Sequence, residues 1–379
     1  MALPCPVLPA CVNWASAGRF RFLARGWGGE GRTGQSLARA ADLCYGTTSM
    51  YDNFKRDINY LRVSITDRCN LRCRYCVPKE GLSLIGHDDI LRYEEILRII
   101  RIAVTLGVVK IRITGGEPLV RRGVIPFVTA VKAVPGIQDL SLTTNGILLE
   151  KYAGELRDAG VCRLNISLDS LNGDKYSHIT RGGSLTEVLR GIDAVYKHGF
   201  APIKINMVAM KGFNDDEILA FARLTLDRPY QVRFIELMPL GHTGRDNLGK
   251  YLDGETIRMI IESSYPLLPV NGARERSDGP ARVFRIDGGW GEIGFISPVS
   301  HHFCHLCNRL RLTADGHLRS CLFSEEEIDL KTPLRRGCSD GELEGLIREA
   351  IANKPRKHEI RLEDNYLRKC GKDMSAIGG

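Results

Sequence analysis

From residue 60 onward, short runs rich in β-branched residues alternate with longer stretches whose apolar positions recur every three or four residues. The period-two runs predict strands at "YLRVSIT" (60–66), "KIRIT" (110–114), "DLSLTT" (139–144), "CRLNISL" (162–168), "IKINMV" (203–208) and "QVRFIEL" (231–237). Between them, 93–106 reads as a helix with Tyr93, Ile96, Leu97, Ile100, Ala103 and Val104 on one face. A second helix, 185–198, carries Leu185, Val188, Leu189, Ile192 and Val195, and opens with Ser184 and Glu187 at capping-box spacing. Strand–helix repetition of this kind predicts parallel βα units. Six units are too few for the usual eight-stranded closed barrel, so an α/β fold with an open, six-stranded partial barrel is expected.

In such barrels function gathers where strands end and loops begin. Here the strands run into "TDRCNLRCRYC", "TGGEP", "TTNG", "SLDS" and "ELMP". One glycine pair could serve only a tight turn, but this array of polar strand ends points to a single rim. After about residue 250 the rhythm stops. A helix at 255–263, a Gly/Arg-rich loop "NGARERSDGPAR", strands at 282–287 and 291–297, and a helix at 341–352 suggest a smaller α+β module over 251–379, following a barrel over 50–250. Residues 1–49 stand apart: they hold five Arg, two acids and no Lys, Ile or His. That composition suits a transit peptide, and equally a start chosen upstream of the true one at Met50. The expected location is cytoplasmic, or the mitochondrial matrix if the leader targets an organelle.

Composition narrows the chemistry. The formal charge is +8 with no dense Lys/Arg stripe, which favours an anionic small molecule over nucleic acid. The longest apolar stretch, "ILRIIRIAVTLGVV", is broken by Arg98 and Arg101, so no membrane span is expected. Twelve cysteines are many, but six fall into two tight triplets rather than a disulfide framework. The first is Cys69, Cys73 and Cys76, at C-x3-C-x2-C on the loop after the first strand; the second is Cys304, Cys307 and Cys321. Thiolates in such clusters suit zinc or iron–sulfur centres. Taken alone, the second triplet reads as a Cys3His zinc site, with His301, His302 and His305 close by.

The C-x3-C-x2-C loop with Tyr75 before its last cysteine, followed by "TGGEP", resembles the signature of the radical S-adenosylmethionine (SAM) enzymes. In that superfamily three cysteines hold a [4Fe-4S] cluster whose fourth iron takes SAM. With "CNRLRLT" inside the second triplet and the terminal "IGG", the chain from about Tyr60 to Gly379 is similar to the GTP 3′,8-cyclase family of molybdenum cofactor biosynthesis. The resemblance implies a second [4Fe-4S] cluster on Cys304, Cys307 and Cys321. It implies SAM contacts at Tyr75, Gly116, Ser167 and Met238, and GTP contacts at Arg62, Arg112, Thr143, Lys204, Arg309, Leu310 and Arg311. It also implies that Arg309, Arg311, Gly378 and Gly379 take part in turnover. The partners implied are GTP, a flavodoxin- or ferredoxin-type electron donor, a downstream pterin-forming enzyme and a second copy of the chain in a homodimer. No nucleic acid or membrane partner is expected.

Overall fold

The computed structural model describes residues 50–78, 80–81, 83–240, 248–270, 279–360 and 374–378. The expected leader, most of the Gly/Arg-rich loop and Gly379 lie outside them. Six parallel strands follow in order: β1 (Tyr60–Ser64), β2 (Lys110–Thr114), β3 (Asp139–Thr144), β4 (Arg163–Ser167), β5 (Ile203–Ala209) and β6 (Tyr230–Glu236). Helices α1 (Tyr93–Thr105), α2 (Val124–Lys132), α3 (Leu149–Asp158), α4 (Gly173–Thr180), α5 (Leu185–Lys197) and α6 (Ile218–Asp227) fall between them. After α7 (Gly254–Glu262) come β7 (Leu267–Pro269), β8 (Arg282–Ile286), β9 (Glu292–Ile296), β10 (Arg309–Leu312), β11 (His317–Arg319) and β12 (Ile328–Asp329). Helices α8 (Lys331–Arg335), α9 (Asp340–Ala352) and α10 (Met374–Ile377) complete the described chain.

All twelve strands lie in one open sheet, ordered β12-β11-β10-β1-β2-β3-β4-β5-β6-β9-β8-β7. The six predicted strands are its centre. The residues after 250, expected as a separate module, supply strands to both edges. β10 joins β1 in parallel on one side, and β9 joins β6 in parallel on the other. The described residues from Met50 onward accordingly fall within one compact unit.

The period of two divides each strand cleanly. Leu61, Val63, Ile111, Ile113, Leu140, Leu142, Leu164 and Ile166 are buried in the main core. Their alternate neighbours are polar, and register sets them in rungs: Arg311 beside Arg62, Arg62 beside Arg112, Arg112 beside Ser141. Ser184 caps α5 through its side chain, accepting from the Glu187 N–H at 3.4 Å. Leu189, expected on the buried face of α5, is 45% exposed. The helix buries Gly191 instead, because a Cβ there would lie 2.6 Å from the Gly146 carbonyl and 2.9 Å from Leu149. Close helix approach decides that face, and a glycine leaves no hydrophobic mark in the sequence.

Candidate active site

The polar face of the sheet lines a cavity of about 750 Å³, within the usual size for a small-molecule site. Cys69, Cys73 and Cys76 line it, and so do Cys304, Cys307 and Cys321. Of the expected SAM and GTP residues, Tyr75, Gly116, Ser167, Met238, Arg62, Arg112, Thr143, Lys204, Arg309 and Arg311 line it too. Leu310 does not. It sits between Arg309 and Arg311 on β10, so its side chain turns to the opposite face, where it is buried in the core.

The first triplet is held by backbone approach. Cys76 and Val77 both donate from N–H to the Cys73 carbonyl at 2.9 Å. The Leu71 N–H donates to Cys69 Sγ at 3.4 Å, and Asn145 Nδ2 lies 3.7 Å from the same sulfur. The "TGGEP" turn presses against this loop. A Cβ at Gly116 would meet the Arg68 carbonyl oxygen at 2.5 Å, and one at Gly115 the Thr66 carbonyl at 2.6 Å. Glu117 anchors the turn, accepting from Thr144 Oγ1 at 2.9 Å and from the N–H groups of Asn145 and Leu119 at 2.7 and 3.1 Å. Burial raises its carboxyl to about 7 despite those donors. Tyr75 donates to Asp169 at 2.7 Å, and Asp169 also accepts from the Val208 N–H.

Both triplets suit iron–sulfur ligation. All six cysteines are thiols outside any disulfide, and all are partly exposed. Burial, and then the neighbouring thiols and Asp169, push Cys73 well above an ordinary thiol; burial also raises Cys69 and Cys304. Such thiols ionise readily only when a metal supplies positive charge. Cys307 differs: burial opposes its ionisation, but Arg309 and Lys354 outweigh it and lower the thiol to about 6. Among the described residues, no three His, Cys, Asp or Glu side chains are grouped around one metal-ion position. Thiolates around a four-iron cluster stand further apart than donors to one ion.

Between the triplets runs a basic belt: Arg62, Arg112, Arg163, Lys204, Arg233, Arg309 and Arg311 line the cavity. Arg233 and Arg163 were not singled out in the sequence. Their signal was strand parity, which puts Arg233 on the face of Gln231 and Arg163 on that of Ser167. Burial first, then the other cations, pushes Lys204 down to about 6, Arg233 to about 9 and Arg311 to about 10. Burial works against ionising Tyr60, yet Arg112, Arg62, Lys110 and Arg309 together hold its phenol below its usual value. Asp139 pairs with Arg163 and Glu292 also lines the cavity, but the cations of the belt outnumber these carboxylates. Tyr60 Oη, Thr143 Oγ1 and Asn206 Oδ1 are also buried without a hydrogen-bond partner among the described residues, as a site awaiting a polar ligand requires. Gly378 meets two of these arginines. The Gly378 carbonyl accepts from Arg311 Nη1 at 3.1 Å and Arg62 Nη2 at 3.5 Å.

The radical SAM superfamily model matches residues 63–225, and the molybdenum cofactor synthesis C-terminal model matches 230–360. GTP 3′,8-cyclase of Moorella thermoacetica is 50% identical over 330 residues, covering 87% of this chain and 100% of its own. The chain belongs to the GTP 3′,8-cyclase family. The Pelotomaculum thermopropionicum member is 49% identical over 331 residues, again covering 87% of this chain and 100% of its own. Streptococcus suis SuiB, solved with S-adenosylmethionine, shares the fold at 17% identity and a TM-score of 0.53, over 77% of this chain and 68% of that one. As a GTP 3′,8-cyclase family member the chain is a radical SAM enzyme, with SAM and [4Fe-4S] clusters as cofactors.

Proposed function

We propose that this chain converts GTP to 3′,8-cyclo-7,8-dihydro-GTP, the first step of molybdenum cofactor biosynthesis. The observation that carries this reading is the single cavity lined by both cysteine triplets and the basic belt. Residues 50–250 form the SAM-dependent half on a six-stranded partial barrel, and 251–379 bring the second cluster and the tail. With the cofactors bound, the first triplet supplies reductive cleavage of SAM and the second an iron site for the purine. Arg62, Arg309 and Arg311 hold the triphosphate, since guanidinium forks match phosphate oxygens. Thr143, Tyr60 and Asn206 offer unpartnered polar atoms to ribose and base. Asp169 orients Tyr75 beside the first triplet. Gly116, Ser167 and Met238 line the SAM end. Arg68, Arg72 and Arg74 are exposed around the first triplet, which suits an acidic flavodoxin- or ferredoxin-type donor. The product passes to a pterin-forming enzyme.

The test is anaerobic incubation of reconstituted protein with GTP, SAM and a reductant, followed by product identification and metal analysis. The cyclised nucleotide and about eight irons per chain are expected; zinc without sulfide, and no cyclised product, would overturn the reading. Arg309→Ala and Arg311→Ala should each weaken GTP binding about tenfold to over a hundredfold, at roughly 1.5–3 kcal/mol per charge-assisted contact. SAM affinity should change little; equal losses for both ligands point to a folding defect instead.

Lys204 gives a pH signature. With burial first, and then Arg233, Arg163, Arg112 and Lys110, holding its pKa at about 6, it is mostly neutral at physiological pH. A bound polyanion raises that pKa, so GTP binding takes up a proton. The Lys204 contribution to affinity is fully present below about pH 6 and is lost as pH rises toward the bound-state pKa. Calorimetry near pH 8, where the γ-phosphate is already ionised, should show uptake of up to about one proton across buffers of different ionisation enthalpy. Lys204→Met should remove that uptake; an unchanged buffer dependence in the variant would assign the proton elsewhere.

A further inference from the structure

Arg56 and Lys354 are interior cations outside the substrate belt. The Arg56 side chain is 5% exposed, and its Nε meets the Asp52 carboxylate at 2.5 Å. Its Nη atoms donate to the carbonyls of Cys304 and Pro355 at 2.8 Å, Arg356 at 3.3 Å and Lys354 at 3.4 Å. Lys354 follows α9 and is 3% exposed. Its ammonium donates to the carbonyls of Arg309, at 2.8 Å, and Ser320. Arg309 stands two residues after Cys307, and Ser320 immediately precedes Cys321. One ammonium thus ties together both ends of the β10–β11 hairpin, where two of the three cysteines sit. Arg56 ties the third, Cys304, to the backbone around Lys354.

Lys354 also has an electrostatic imbalance. Burial above all lowers its pKa; the Cys307 and Cys321 thiols favour its protonation, and Arg56 and Arg309 oppose it. A buried ammonium beside two arginines, one of them paired with Asp52, is unfavourable unless a further anion stands nearby. An oxidised [4Fe-4S] core held by three thiolates is a net anion, and its reduction potential follows the local charge.

We infer that Lys354 is the positioning residue and counter-charge of the cluster on Cys304, Cys307 and Cys321, with Arg56 as its brace. The inference rests on reading those cysteines as cluster ligands. It separates two contributions. The hydrogen bonds fix the spacing of Cys307 and Cys321, so losing them speeds iron release. The charge stabilises the reduced cluster, so losing it lowers the potential.

The experiment uses the full chain with Cys69, Cys73 and Cys76 changed to serine, so that iron is held by the second triplet alone. Lys354→Gln keeps a donating amide and removes the charge; Lys354→Met removes both; Lys354→Arg keeps the charge. Potentials are read by electron paramagnetic resonance during redox titration, and iron loss is followed with a chelator. The Gln and Met variants should lower the reduction equilibrium constant about tenfold, a shift of about 59 mV to more negative potential for one electron. The Arg variant should stay near the parent, and the Met variant should release iron fastest. The Gln variant guards against a folding failure of the Met variant, because its donor is kept. Equal potentials in the parent and the Gln variant overturn the counter-charge role. Absence of iron from the parent background overturns the ligand reading itself, and the inference with it.

Discussion

Cys73→Ser is expected to abolish SAM cleavage, whereas Cys307→Ser keeps some uncoupled SAM cleavage and yields no cyclised nucleotide. Both are thiol-to-hydroxyl changes, so the difference lies in location. Cys73 carries the turn of the first triplet through its carbonyl, which accepts from Cys76 and Val77, and burial holds its thiol well above the ordinary range. A serine hydroxyl there is less acidic still and does not replace thiolate. With three protein ligands there is no spare. Losing a group that only hydrogen-bonds a ligand costs metal sites roughly 10–100-fold, so losing a ligand should cost more than about a hundredfold. Cys69→Ser and Cys76→Ser should behave alike. Cys307 belongs to the other triplet, and Cys304→Ser and Cys321→Ser should follow it. Quantifying 5′-deoxyadenosine and cyclised product side by side separates the classes. Normal cyclisation by Cys307→Ser would sink the second-cluster assignment.

Removing Gly378 and Gly379 should cut cyclisation about a hundredfold while GTP affinity and SAM cleavage stay within a few-fold of the parent. The Gly378 carbonyl fixes Arg311 and Arg62, and the residue rests on β1 and β2: a Cβ would lie 2.8 Å from Ser64 Cβ and 3.1 Å from Thr114 Cγ2. Its φ of +78° is a left-handed value that glycine adopts freely. Truncation leaves both guanidiniums able to reach phosphate but no longer fixed in angle. Misplacement of about 1 Å can cost roughly a hundredfold in rate with little loss of binding. Gly378→Ala, which must displace strand residues, should show the same split. Unchanged product formation by the truncated chain would return the tail to an ordinary frayed end.

The strands and the rim were legible because period-two runs and turn residues are local signals. "KIRIT" and "DLSLTT" end where the strands end. The cavity cations on them were partly legible, since an arginine in a short apolar strand has few places to go. What could not be read was long-range pairing. Nothing in "RLRL" says that it lies beside "YLRV", hundreds of residues earlier, yet that pairing sets Arg311 beside Arg62. Arg56 and Lys354 were illegible for another reason. Each looks like a solvated surface charge, the usual fate of its residue type, until the carbonyls around it are seen. At Leu310 a motif carries contiguous residues together, while the strand turns this alternate side chain into the core.

The placement of β10 beside β1 also bears on how the protein is made. β1 is synthesised first among the strands, and its neighbour on one side emerges only after nine others. Until then the Tyr60–Ser64 edge has open backbone groups beside Leu61 and Val63, the kind of edge that invites pairing between chains. Contacts so distant along the chain also make assembly slow. A nascent chain stopped before β10 thus has an unguarded edge in place of the wall that carries Arg309 and Arg311. Ribosome stalling or premature release in that interval is expected to give aggregates or chaperone clients rather than a half-built enzyme able to start radical chemistry without its substrate pocket.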